Sequence, residues 1–149
     1  MIDLLFLSLQ KILLAIIIGG GIIMASAVRP LFLATMQAQA LPIAPIEQMH
    51  IAAWNRYNQR SLLAALLFVL LELLRQASTG QYHLLPLLGS FLLLLAFLRK
   101  LAVDRRLKRR VEEEQELAVG SSAQEAGHRE AEILSIVILL LALVNLVLT

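Results

Sequence analysis

The chain has 149 residues, of which 59% are hydrophobic and 16% charged, with a formal net charge of +2 and no cysteine. A soluble domain is usually about 45–50% apolar and about 25% charged, so this excess of Leu, Ile, Val and Ala points to lipid as the solvent. The missing cysteine excludes disulfides, thiolate metal sites and cysteine nucleophiles.

The first apolar stretch runs from Ile12 to Val28, between Lys11 and Arg29. Taken as 11–29 it reaches the length a helix needs to cross the hydrocarbon, about 17–20 residues. Asp3 comes before any basic residue, and no small-residue cleavage site closes the stretch before Arg29-Pro30. It reads as a permanent span, not a signal peptide. Gly19-Gly20-Gly21 lies in mid-span, followed by Ala25, Ser26 and Ala27. Ala15 with Gly19, and Gly21 with Ala25, are four apart, a spacing that lets another helix approach closely. The competing reading is a helix break whose freed carbonyls hold an ion, although span one offers few polar partners for one.

After Pro42 and Pro45, the residues Ile46, Met49, Ala53 and Tyr57 recur at helical spacing, while Glu47, His50 and Asn58 occupy another face. This predicts an amphipathic surface helix over about 46–58, with Trp54 and Tyr57 in the headgroup belt. Span two follows over about 60–79 and span three over about 83–99, with Arg60 and Arg99 snorkelling at their ends. No breaker follows Arg99 until Gly120, and Val103, Leu107 and Val111 keep a spacing of four. Span three should continue as a helix beyond the membrane to about Ala118. There a basic block precedes Glu112, Glu113, Glu114 and Glu116, and the two can form spaced ion pairs. Gly120-Ser121-Ser122-Ala123 reads as a flexible joint within a charged extension of about 99–130. Span four covers about 132–149. The expected architecture is all-α, a single domain over 1–149 built as a bundle of four transmembrane helices.

Lys and Arg set the orientation. Placing the link between spans three and four in the cytoplasm puts eleven of the thirteen basic residues inside, leaving Lys11 and Arg75 outside. Both termini are then extracytoplasmic and the third helix extends into the cytoplasm. The expected location is a bacterial cytoplasmic membrane or an equivalent energy-transducing membrane.

Glu72 is the acid set well inside a span, about 18 Å from Arg60 at roughly 1.5 Å per residue, and such residues are functional candidates. Asn145 lies at nearly the same depth, Ser90 somewhat nearer the cytoplasm, and Lys11 toward the same outer side. The four could form one intramembrane cluster, suited to moving a proton or small solute through an oligomer. The simpler alternative pairs Glu72 with Arg75 at the outer interface.

His50 and His128 each close a Glu-x-x-His, with Glu47 and Glu125. On a helix that spacing puts acid and imidazole on one face, as in di-iron carboxylate bundles, which add a Glu from each of two other helices. The block Glu112–Glu116 could supply one of these and nothing obvious supplies the other, while Gly127 weakens a helix through the second motif. The expectation is a ring separation above about 10 Å, too wide for shared coordination, and no metal or other cofactor.

The block Arg105, Arg106, Lys108, Arg109 and Arg110 suits anionic headgroups. No aromatic residues interleave with it, so no nucleic-acid partner is expected. No phosphate-binding glycine loop and no serine–histidine–acid set is visible. The leading expectation is therefore non-enzymatic: an accessory or packing subunit in the bilayer, associating with itself or with other membrane subunits through Gly19, Gly20, Gly21 and Ala25.

Three stretches carry a family resemblance. They are the glycine-bearing first span ending in Arg29-Pro30-Leu31-Phe32, the run Asn55-Arg56-Tyr57-Asn58 before span two, and a last span opened by His128-Arg129 and reaching Asn145. Together they resemble a family of small four-span membrane proteins of unknown function that includes the eukaryotic transmembrane protein 205. The likeness covers most of the chain in outline, and the long charged link before span four departs from it. It implies a four-span fold and brings no established reaction.

Overall fold

A computed structural model describes residues 2–38 and 42–149. Among these residues all regular structure is helical. Helix α1 spans Ile2–Gln37, α2 Ile43–Thr79, α3 Leu84–Leu117 and α4 Ser122–Leu148, and each is long and apolar enough to cross a membrane. Helix α1 packs on α2 and α4, and α3 packs on the same two, so the helices form a ring in chain order. Short links make neighbours antiparallel. Both chain ends therefore lie at the end of the bundle that carries the Gly80–His83 link, here the terminal end.

Local chemistry sets the helix limits. Gly80 closes α2 in the left-handed conformation, φ 67°, where its N–H donates to the Gln76 carbonyl at 3.0 Å. Gly120 turns the chain at φ 77°, and the Ser121 hydroxyl then caps α4 by accepting from the Gln124 N–H at 3.2 Å. Helix α1 is unbroken at its glycine triplet, so no carbonyls are freed there. Its irregularity is a π turn at Met24–Val28. That turn ends just before Pro30, whose missing N–H and bulky ring make a regular preceding turn costly.

Two expectations about helix limits are corrected. The segment 46–58 is not a separate surface helix but the first part of a continuous 37-residue α2. Both of its faces also turn residues inward: Glu47 and Asn58 are buried with Ile46, while Met49 is 63% exposed. Helix α4 begins at Ser122 and runs straight through Gly127. A Cβ at Gly127 would lie 2.5 Å from Leu107 Cδ2, so glycine here permits close approach of α3 and α4.

Buried side chains alternate along the bundle in layers. At the terminal end Gln10, Glu72, Arg75, Gln76, Ser90 and Asn145 form a polar layer. An apolar layer centred on Leu14, Ile17, Phe68, Leu93, Phe97 and Ile138 comes next. A second polar layer holds Glu47, Asn58, Lys100, Asp104 and Gln124, with apolar packing around Val103, Leu107 and Val111 beyond and beside it. Outward-facing Ile16, Leu66, Leu95 and Leu140 are about half exposed, a greasy exterior suited to lipid.

Candidate functional site

The terminal polar layer centres on Glu72, which is fully buried. Its carboxylate accepts from Gln10 Nε2 at 2.7 Å, Gln76 Nε2 at 2.8 Å and Arg75 Nη2 at 3.1 Å. The Glu72–Arg75 pair thus forms, but in the bundle interior. The other sequence candidates are not hydrogen-bonded to it. Lys11 is exposed. Ser90 donates to the Leu87 carbonyl at 2.7 Å, and Asn145 Nδ2 to the Leu141 carbonyl at 2.7 Å. Asn145 instead fills the space that Gly89 leaves, its Oδ1 2.6 Å from where a Cβ would stand. Gln76, one turn after Glu72, was legible as a partner, whereas Gln10 lies on another helix and gave no local signal.

At the opposite end the four helices enclose a cavity of about 510 Å³. Helical spacing turns Glu47, His50, Trp54 and Asn58 of α2 onto one inward face, opposite Lys100 and Asp104 of α3 and Gln124 and His128 of α4. Leu33 and Met36 of α1 and Ile136 and Leu139 of α4 give apolar walls, with Ala25, Arg29 and Glu132 at the rim. Trp54 and Tyr57, expected among headgroups, face inward instead. Lys100 Nζ lies 4.7 Å from the centroid of the Trp54 ring, and the Tyr57 hydroxyl donates to the Ile17 carbonyl at 2.8 Å. The Tyr57 ring rests where Gly20 and Gly21 lack a Cβ. Two of the packing glycines therefore serve contacts inside the bundle, while space is open beside Gly19.

Two carboxylates organise the cavity. Glu47 Oε1 accepts from Gln124 Nε2 at 3.0 Å and pairs with His128 Nε2 at 2.5 Å. Asp104 accepts from Asn58 Nδ2, and from Lys100 Nζ at 3.5 Å. An ionised carboxylate only accepts, so each amide must present its NH₂, which fixes both amide orientations. The carbonyl oxygens of Asn58 and Gln124 then have no hydrogen-bond partner among the described residues, although both side chains are buried. Trp54 Nε1 donates to His50 Nε2 at 2.9 Å, which leaves the His50 ring proton on Nδ1.

Burial pushes the Glu47 carboxyl up, but the hydrogen bonds from His128 and Gln124 and the charges of both histidines outweigh it and leave it below the usual range. Burial lowers His50, helped by His128, Arg29 and Lys100 and opposed by Glu47. Burial likewise lowers Lys100 and raises Asp104, each opposed by the other's charge.

The histidines correct another expectation. The rings of His50 and His128 lie 6.4 Å apart between centroids, because the start of α2 docks on the start of α4. Their planes are inclined by 23°. His50 Nε2 is already taken by Trp54, Glu125 is exposed, and no cluster of three or more His, Asp or Glu among the described residues is disposed to hold a metal. Shared coordination does not fit this arrangement.

Ser135, the serine lining the cavity, donates to the Ala131 carbonyl at 2.8 Å and not to a base. In the basic block Arg105, Arg106, Lys108 and Arg109 are exposed, with Lys108 paired to Glu112 at 3.4 Å and Arg106 to Glu130 at 3.9 Å. Arg110 donates to the Ala123 carbonyl at 2.6 Å, tying α3 to α4. Comparison with known protein families, curated proteins and solved structures finds no match.

Proposed function

We propose that this chain is a non-enzymatic, multi-pass membrane protein that binds a small molecule in the cavity between its helices, alone or as an accessory subunit of a larger membrane assembly. The distribution of basic residues supports a cytoplasmic cavity end with both termini outside. The cavity itself carries the reading. Its volume of about 510 Å³ falls in the ordinary range for ligand sites, and it joins apolar walls to a few convergent polar groups. Native mass analysis of the chain purified in mild detergent tests it. A small-molecule adduct is expected on the wild type and should be lost in Ala25→Phe, which crowds the rim. Bare polypeptide in both samples would remove the reading, and further subunits in the same spectrum would support the accessory role.

Transport retains one support, the buried Glu72 with its three donors. Against it stands the apolar layer of Phe68 and Phe97, both fully buried, between Glu72 and the cavity. If Glu72→Gln leaves flux in proteoliposomes unchanged, or no flux exists, transport is eliminated.

A further inference from the structure

We propose that the cavity takes an organic cation: an ammonium group seated beside Glu47 and Gln124, carrying an apolar body that lies along the walls. The proposal rests on the cavity being a ligand site and concerns which chemistry fits it.

Unmet hydrogen-bonding capacity is the first argument. Asn58 and Gln124 are buried to within 1% of completely, and each donates its NH₂ to a carboxylate. What they turn elsewhere is a carbonyl oxygen without a partner among the described residues. Each buried acceptor asks for an N–H or O–H donor, since a buried polar group left unpaired is costly, and the Gln124 oxygen belongs to the amide that holds Glu47. An ammonium supplies such donors together with charge, which strengthens each bond. A carboxylate, a phosphate or a quinone carbonyl would bring only lone pairs to lone pairs.

Charge is the second argument. Four acidic side chains line the cavity, Glu47, Asp104, Glu125 and Glu132, against one arginine and one lysine, Arg29 and Lys100. Lys100 is committed to Asp104, and Arg29 to Glu132 at 2.7 Å. Glu47 and Glu125 have no lysine or arginine partner among the described residues, and one added cation brings the lining nearer balance.

Access is the third. The lining residues that are exposed include Ala25 and Leu33 on α1 and Glu132 and Ile136 on α4, so the rim lies between these two helices. The Arg29–Glu132 pair bridges it, with both side chains 40–50% exposed (42% and 49%). Such a pair opens at little cost, and a molecule with an apolar tail can enter from the lipid side with its head toward Glu47 and Gln124.

Trp54 is the chain's one tryptophan and lines the cavity, so intrinsic fluorescence reads the site directly. The full chain in mild detergent is titrated with n-octylammonium, octanol and octanoate, which share one tail. Octylammonium should give a saturable change in Trp54 emission, octanol should bind at least about tenfold more weakly, and octanoate should give no saturable change. Glu47→Gln should weaken the amine by about tenfold or more. The matched-tail comparison stands without any variant, should that one fail to fold. Octanoate or octanol binding as tightly as the amine would overturn the cation assignment and leave the cavity a ligand site. No saturable response to any of the three would overturn both.

Discussion

Glu47 and His50 sit one turn apart and both favour the less protonated form when folded. Their ordinary values, 4.5 and 6.5, describe the unfolded chain, which therefore takes up more protons on acidification. By linkage their stabilisation is full above pH 6.5 and is lost first as pH falls through the lowered His50 value, then again below pH 4.5 as Glu47 protonates. Asp104 acts in the opposite sense, because a carboxyl raised by burial favours folding once it is protonated. Melting temperature in detergent should fall between roughly pH 7 and roughly pH 4, with the lower step missing from Glu47→Gln and steeper in Asp104→Asn. A flat profile contradicts this assignment. The glycine triplet offers a second contrast. A Cβ at Gly20 would stand 2.6 Å from the Tyr57 ring, which is pinned by its hydroxyl to Ile17, whereas nothing lies within 4 Å at Gly19. Gly19→Ala should stabilise α1 by up to about 1 kcal/mol, and Gly20→Ala should destabilise by about 1–3 kcal/mol, both read as shifts in melting.

Helices α3 and α4 meet beyond the apolar layer through Gly127, and Gly127→Leu should force them apart. The expected cost is about 1–3 kcal/mol in melting. Glu132→Gln should cost less than about 1 kcal/mol, since the pair it breaks is half exposed; equal losses would show that the close approach carries no special weight. The apolar runs were enough to read four spans. The spacing of Val103, Leu107 and Val111 showed that α3 continues, and all three are buried. The start of α4 was also written in the chain, in Ser121 followed by Gln124 at the spacing of a capping box, though the neighbouring glycine made it look like a joint. Pro45 suggested a break, yet it falls in the first turn of α2, where proline costs little. Periodicity divided the start of α2 into two faces but did not say that polar residues such as Glu47 and Asn58 turn inward, as a membrane bundle allows. Glu47 meets Gln124 and His128 across some eighty residues of chain, and no local spacing reports such a contact.

The ring of four antiparallel helices puts both chain ends on one side, so two labelling sites determine how the molecule lies in the membrane. Ser122 and Gly80 are both exposed and stand at opposite ends of the bundle. Cysteine placed at Ser122 should react with an impermeant maleimide only from the cytoplasm, and at Gly80 only from outside; reversed labelling would invert the orientation. Along α2 the two buried glutamates, Glu47 and Glu72, are about 37 Å apart at about 1.5 Å per residue. The side chains of Leu14, Ile17, Phe68 and Phe97 between them offer no hydrogen bond and no charge. The apolar layer is therefore an insulator: what is done to one glutamate should go unfelt at the other. Stability losses from Glu47→Gln and Glu72→Gln should sum in the double variant to within about 0.5 kcal/mol. A larger discrepancy would mean that the two ends communicate through helix motion across the apolar layer.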